Sequence, residues 1–213
     1  MKRRELLAAF AAGAGFATAA TIAPITAFAQ SRGGAAVPEA EQFIGNLMQQ
    51  GIASLTGRGF SEAERSRRFR EMLYANFDVP TIARFVIGRY WRLASAQEQQ
   101  EYMNLFGNML TGMYASRFGE YQGELPRVAG SRVTGEGDVF VTSELLRPGQ
   151  QPLRLEWILR RDGSTFKIVD LRVEGVSMAV TQRDEFGSII QRGGGQMSAL
   201  LQVMRQRAAQ AGR

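Results

Sequence analysis

Between residues 96 and 173 the spacing of apolar side chains changes once, from the three-and-four step of a helix to the two-step of a strand, and that change limits the folds open to this chain. On the helical side, Tyr102, Leu105, Phe106, Met109, Leu110, Met113, Tyr114 and Phe118 fall on one face of a long helix over 95–119. From Pro126 onward the pattern alternates. The spans 127–134, 138–147, 152–161 and 165–173 read as four strands, separated by Gly135-Glu136-Gly137, Pro148-Gly149 and Asp162-Gly163. Such short turns leave no room for crossover helices, so the strands form an antiparallel meander. Three earlier helices are expected, over 38–55, from the Ser61–Glu64 capping box onward, and over 79–87 between Asp78 and Gly88. Two more follow the strands, over 181–191 and beyond the Gly193-Gly194-Gly195 break. The layout is α+β, with helices on one face of an antiparallel sheet.

The third strand alternates Leu153, Leu155, Trp157 and Leu159 with Arg154, Glu156, Ile158 and Arg160, giving one apolar and one mostly charged face. In the fourth, Val169, Leu171 and Val173 alternate with Asp170 and Arg172, which places the first three inward. The apolar face must meet the long helix, with Phe106, Met109 and Met113, and the helix over 79–87, with Val79, Ile82, Phe85 and Val86. Tyr90 and Trp91 lie just beyond. Periodicity alone does not distinguish a filled core, which is the commoner outcome of such a pattern, from a cavity. Nine methionines, which suit adaptable apolar surfaces, and the aromatics near Gly88 favour a cavity weakly.

What the chain lacks excludes whole classes of chemistry. It has 213 residues, enough for one domain with a substantial core, and neither cysteine nor histidine. Disulfides, zinc sites built on Cys or His, and Ser-His or Cys-His catalysis are therefore ruled out. There is no G-x-x-x-x-G-K-[ST] phosphate loop. Glu156 and Asp170 could imitate a catalytic carboxylate pair, but pairing with Arg154, Arg160 or Arg172 is the simpler expectation. The expected inward faces carry no carboxylate. Ser177 has no base to activate it.

Lys2, Arg3 and Arg4 precede a stretch from Leu6 to Ala29 without charge, and Ala27-Phe28-Ala29 fits a small-x-small cleavage site. The expectation is an export signal over residues 1–29, a linker over 30–37, one domain over 38–213 and a periplasmic location. The formal net charge is +6, and residues 1–29 carry +2 of it. The +4 that remains is mild and reads as solvated surface and not as a nucleic-acid footprint; Arg65, Arg67, Arg68 and Arg70 read as a solvated helix face, the alternative being contact with anionic lipid or an acidic partner surface.

The order of several short motifs resembles the MlaC family. They are Phe77-Asp78-Val79, Gly88-Arg89-Tyr90-Trp91, the long helix ending near Tyr121, Leu153-Arg154-Leu155-Glu156-Trp157, the run from Val169 to Met178 with Glu174-Gly175-Val176-Ser177, and Phe186-Gly187-Ser188-Ile189-Ile190. The resemblance spans about residues 38–205; the triple glycine is its main departure. It implies an NTF2-like fold and a periplasmic phospholipid-binding protein, labelled in older usage a toluene-tolerance auxiliary protein, of the system that maintains outer-membrane lipid asymmetry. Acyl chains would lie between sheet and helices as cargo, with no other cofactor, and the head group would sit at the mouth, where Arg89 or Arg92 could meet its phosphate. The implied partners are an outer-membrane lipoprotein complex and an inner-membrane ABC-transporter complex. The alternatives are an exported NTF2-like enzyme using carboxylate and Tyr chemistry, and an interaction module with a filled core.

Overall fold

The computed structural model describes residues 35–57 and 59–211. The expected signal and residues 30–34 of the expected linker lie outside these residues. Helices α1 (Pro38–Leu55), α2 (Glu62–Asn76), α3 (Val79–Ile87), the single turn α4 (Tyr90–Leu93) and α5 (Ala96–Tyr114) come first. A 3-10 segment, Ala115–Glu120, extends α5. Strands β1 (Leu125–Val133), β2 (Val139–Leu146), β3 (Leu153–Asp162), β4 (Thr165–Val173) and β5 (Val176–Ser177) follow, then α6 (Met178–Arg192) and α7 (Met197–Ala211).

The helix starts are set by side-chain caps. Ser95 accepts from the Glu98 N–H while the Glu98 carboxylate accepts from the Ser95 N–H, a complete capping box. At α2 only half of the expected box forms. Ser61 accepts from Glu64 N–H, but the Glu64 carboxylate turns to Arg67 and Arg68, at 2.8 and 2.6 Å. Hydrogen bonds from these two guanidiniums hold that carboxyl down to about 2. Asp78 caps α3 through Thr81 N–H, and Gly88 ends it at φ +54°, a conformation that disfavours a side chain. The expected long helix is α-helical only to Tyr114; Phe118 lies on the 3-10 turn and still packs inward.

All strand neighbours in the sheet β1-β2-β3-β4-β5 are antiparallel. The sequence-based count of four omits β5, which is only two residues long and joined to β4 by Glu174-Gly175, both at positive φ. The fourth strand requires a second correction. Ile158 pairs with Asp170 and Leu159 with Ile168, so Val169 is the extra residue of a β-bulge. A bulge reverses the period-two reading beyond it. Ile168, with no exposed surface, takes the inner position expected for Val169, while Leu171 and Val173 keep theirs opposite Trp157 and Leu155.

The outer face is not wholly polar. Ile158 is buried there beside its cross-strand partner Phe140, whose ring lies 4.6 Å from the Arg132 guanidinium and 5.0 Å from that of Arg172. Glu156 pairs with Arg132 and Arg154, in line with the ion-pair expectation.

The buried apolar residues fall into two clusters. One joins helices α2, α3, α5, α6 and α7 around Tyr102, Phe106 and Phe186. The other joins α1 to the inner face of the sheet around Ile44, Trp157, Leu159 and Ile168. Three aromatic rings interlock in the first, with Phe186 edge-on to Tyr102 and Phe106 at 6.3 and 6.4 Å. The buried Tyr102 hydroxyl donates to Ala83 O at 2.9 Å, and burial pushes its pKa upward. Truncating Phe186, which has no exposed surface, removes two ring contacts. Phe186→Ala is expected to lower unfolding free energy by about 3–5 kcal/mol in urea titration with an unchanged m-value.

Candidate binding pocket

The seam between the two clusters is a partly open cavity of about 310 Å³. Its sheet wall carries Leu155, Trp157 and Leu171, with Leu145 and Pro126 from the first two strands. Its helical wall carries Ile82 and Val86 from α3, Phe106, Leu110 and Tyr114 from α5, and Phe69, Met72 and Leu73 from α2. Leu47, Met48, Gly51 and Ile52 of α1 close one side, and Met178, Ala179 and Gln182 of α6 another. Phe77, between α2 and α3, and Phe118 complete the lining. Side chains of both clusters thus face each other across space that neither fills.

The polar residues of this lining are Tyr114, Asp170 and Gln182. Asp170 lies opposite Ile158 in the register, on the outer face as expected, and still borders the cavity; among the described residues it does not form the ion pair with an arginine that was expected of it. Its oxygens are already engaged: they accept from the Ser177 hydroxyl at 2.6 Å, from Ala179 N–H at 3.1 Å and from its neighbour Leu171 N–H at 2.9 Å. It therefore serves the start of α6, where a carboxylate also meets the positive end of the helix dipole. Ser177 in turn caps α6 through Val180 N–H at 3.0 Å. The Tyr114 hydroxyl lies 4.0 Å from the Met178 sulfur, and burial raises its pKa.

Trp157 is fixed in the lining by a buried hydrogen bond. Its indole N–H donates to the Ser143 hydroxyl at 2.8 Å, and Ser143 has no exposed surface. The bond satisfies a polar group that burial would otherwise penalise and sets the ring against the cavity.

Six of the residues expected at such a site line it together: Ile82, Val86, Phe106, Leu155, Trp157 and Leu171. Others lie elsewhere. Val79 and Tyr90 are buried in the helical cluster, with Trp91 and Met109 packed on its edge; Leu159, Leu153 and Val173 belong to the sheet cluster. Val169 is displaced by the bulge. Phe85 and Met113 are corrections to the inward face expected for them: they are 42% and 46% exposed, because the helices turn other residues to the interior. Arg89 and Arg92 are exposed and line no part of the cavity; Arg89 lies over the Tyr90 ring and donates to its hydroxyl at 3.1 Å. The lining contributed by α1, α2 and α6 was not assigned to a site by the sequence reading. Its signal was present in the stripes Leu47-Met48 and Phe69-Met72-Leu73, but a stripe fixes a face and not what it faces.

An open antiparallel sheet and a helical layer around an internal apolar pocket define an α+β binding protein. The chain belongs to the MlaC family: the family model described as MlaC protein matches residues 43–206, as the motif order implied. Its fold is similar to that of the phospholipid-binding protein from Ralstonia solanacearum, solved in complex with a phospholipid at 1.53 Å. The two share 20% sequence identity at a TM-score of 0.73, over 82% of this chain and 99% of that one.

The chain has two tryptophans, and only Trp157 lines the cavity, which makes occupancy readable by fluorescence. A brominated acyl chain is expected to quench emission in a Trp91→Phe variant and to leave Trp157→Phe nearly unchanged. Equal quenching in both would show that the chain does not enter this seam.

Proposed function

We propose that this protein is a soluble periplasmic carrier, not an enzyme, whose pocket shelters phospholipid acyl chains. In this reading it moves lipid between an outer-membrane lipoprotein complex and an inner-membrane ABC-transporter complex. The observation that carries it is the apolar seam between the two core clusters, opening to solvent and lined by side chains of both. Membership of the MlaC family supports it, as does the fold shared with a protein solved with phospholipid bound. The export-signal pattern of residues 1–29 supports the location, and no helix among the described residues is long and apolar enough to cross a membrane.

The energetics favour transfer without work by the carrier. Burial of hydrocarbon is worth about 0.8 kcal/mol per methylene, so two chains with some 30 methylenes gain about 25 kcal/mol over water. Exposed lipid does not cross an aqueous gap against such a term. The same term is already satisfied in a bilayer, so exchange between bilayer and pocket is close to neutral, and direction belongs to the complexes at each end. Met48, Met72 and Met178 in the lining adapt to chains of differing length and unsaturation. The carboxylate of Asp170 is bound to three donors at the start of α6, an arrangement suited to shaping a wall and not to acid–base chemistry.

Native mass spectrometry and lipid extraction of the purified protein test the proposal. Phospholipid is expected at near-stoichiometric level. Trp157→Asp or Leu155→Arg is expected to abolish it while far-ultraviolet circular dichroism stays unchanged. Wild-type protein that carries no lipid and takes none from vesicles would refute the carrier reading.

A further inference from the structure

The outer faces of α3 and α6, two of the helices that wall the pocket, carry a second feature together with the short α4. Arg84, Arg89, Arg92 and Arg183 gather around Gly88 and the α3–α4 corner. Three of them stack on aromatic rings: Arg84 on Trp91 at 5.2 Å, Arg89 on Tyr90 at 5.1 Å and Arg183 on Phe85 at 5.1 Å. A Cβ placed on Gly88 would lie 3.5 Å from the Arg183 guanidinium, so that side chain lies over the corner itself. None of the four has a carboxylate within 4.0 Å among the described residues, a state they share with Arg65, Arg70, Arg117, Arg147, Arg172 and Arg192; what marks this corner is that four such arginines lie together on neighbouring turns.

Sequence explains why carboxylates are scarce at this corner. From Val79 to Gln97 there is no acidic residue. At the margins, Asp78 is engaged in capping α3, Glu98 in capping α5 and Glu185 in pairing with Arg207, which leaves the exposed Asp184 as the nearest chain neighbour of Arg183. The same elements expose large apolar side chains: Leu93 of α4 is 74% exposed, Phe85 of α3 is exposed beneath Arg183, and Val180 of α6 is exposed.

We infer that this corner is a docking surface for an anionic phospholipid bilayer. Unpaired guanidiniums are complementary to lipid phosphates, and their stacking on rings holds them at the level where aromatic and aliphatic side chains enter the interfacial zone. An acidic protein surface would match the charge but gives no comparable account of the exposed Leu93 and Phe85. The placement is also functional. Ile82 and Val86 on the inner side of α3, and Met178 and Gln182 on that of α6, line the pocket, so docking brings the cavity to within one helix of the membrane. The inference concerns the outer surface and holds whatever occupies the cavity.

Vesicle co-sedimentation tests it. The purified protein is expected to sediment at low salt with vesicles containing about a third phosphatidylglycerol, and not with pure phosphatidylcholine. Because each arginine at an anionic surface is worth about fivefold in affinity, Arg89→Glu with Arg92→Glu should weaken binding roughly 25-fold or more. Leu93→Ser should weaken it at unchanged charge, and 0.5 M salt should release the wild type. Arg127→Glu with Arg147→Glu, the same charge change on the β1–β2 side, should leave most of the binding. The Arg89/Arg92 variant should retain its extractable lipid, which separates docking from cargo binding. No sedimentation with anionic vesicles, equal sedimentation with neutral ones, or equal loss in the two double variants would overturn the inference.

Discussion

Strand β4 anchors three helix ends within four residues, and the pocket exists because of where it holds them. Lys167 donates to the last carbonyls of α2, at Ala75 O (2.6 Å) and Tyr74 O (3.3 Å). Ile168 O accepts from Asp78 N–H at 2.9 Å, which pins the start of α3. Asp170 accepts from Ala179 N–H and so pins the start of α6. Each bond satisfies a backbone group that a helix end otherwise leaves orphaned. Between Ile168 and Asp170 the bulged Val169 gives the strand the extra residue that separates these anchors. The helices are therefore tied to the sheet at its margin and are not free to collapse onto Leu155, Trp157 and Leu171, which leaves the seam between the two apolar clusters.

A close-packed interior would be the usual outcome for a chain with 45% hydrophobic residues. Here each cluster is packed within itself. Tyr102, Phe106 and Phe186 interlock on the helical side, and Leu159, Ile168 and Val141 have no exposed surface on the other. Stability can reside in the two clusters while the seam stays available for a guest. That division is what a carrier requires: a cargo site whose emptying does not unfold the protein.

Much of this architecture was legible in the sequence. Ser61, Asp78 and Ser95 marked helix starts because a short polar side chain there satisfies free N–H groups, and glycine-containing turns marked the meander. Leu155, Trp157 and Leu171 were placed on the inner face by alternation alone. Val169 was misplaced because a bulge leaves no mark on a run of β-branched residues. Phe85 and Met113 were misplaced because apolar character shows that a residue can be buried, not that it is. The role of α1 was hidden for another reason: Leu47 and Met48 gave the direction of a face, while the cavity depends on the distance between faces.

The central claim is that acyl chains occupy the seam itself. Deuterated protein with protonated isoleucine, leucine and valine methyl groups, loaded with protonated phospholipid, tests it by nuclear Overhauser transfer. The account predicts transfer from acyl methylenes to the methyls of Ile82, Val86, Leu155 and Leu171, and none to those of Ile190, Leu200 and Leu201, which are buried away from the cavity. Transfer confined to surface methyls such as Leu93 or Val176, with the cavity methyls silent, would contradict it.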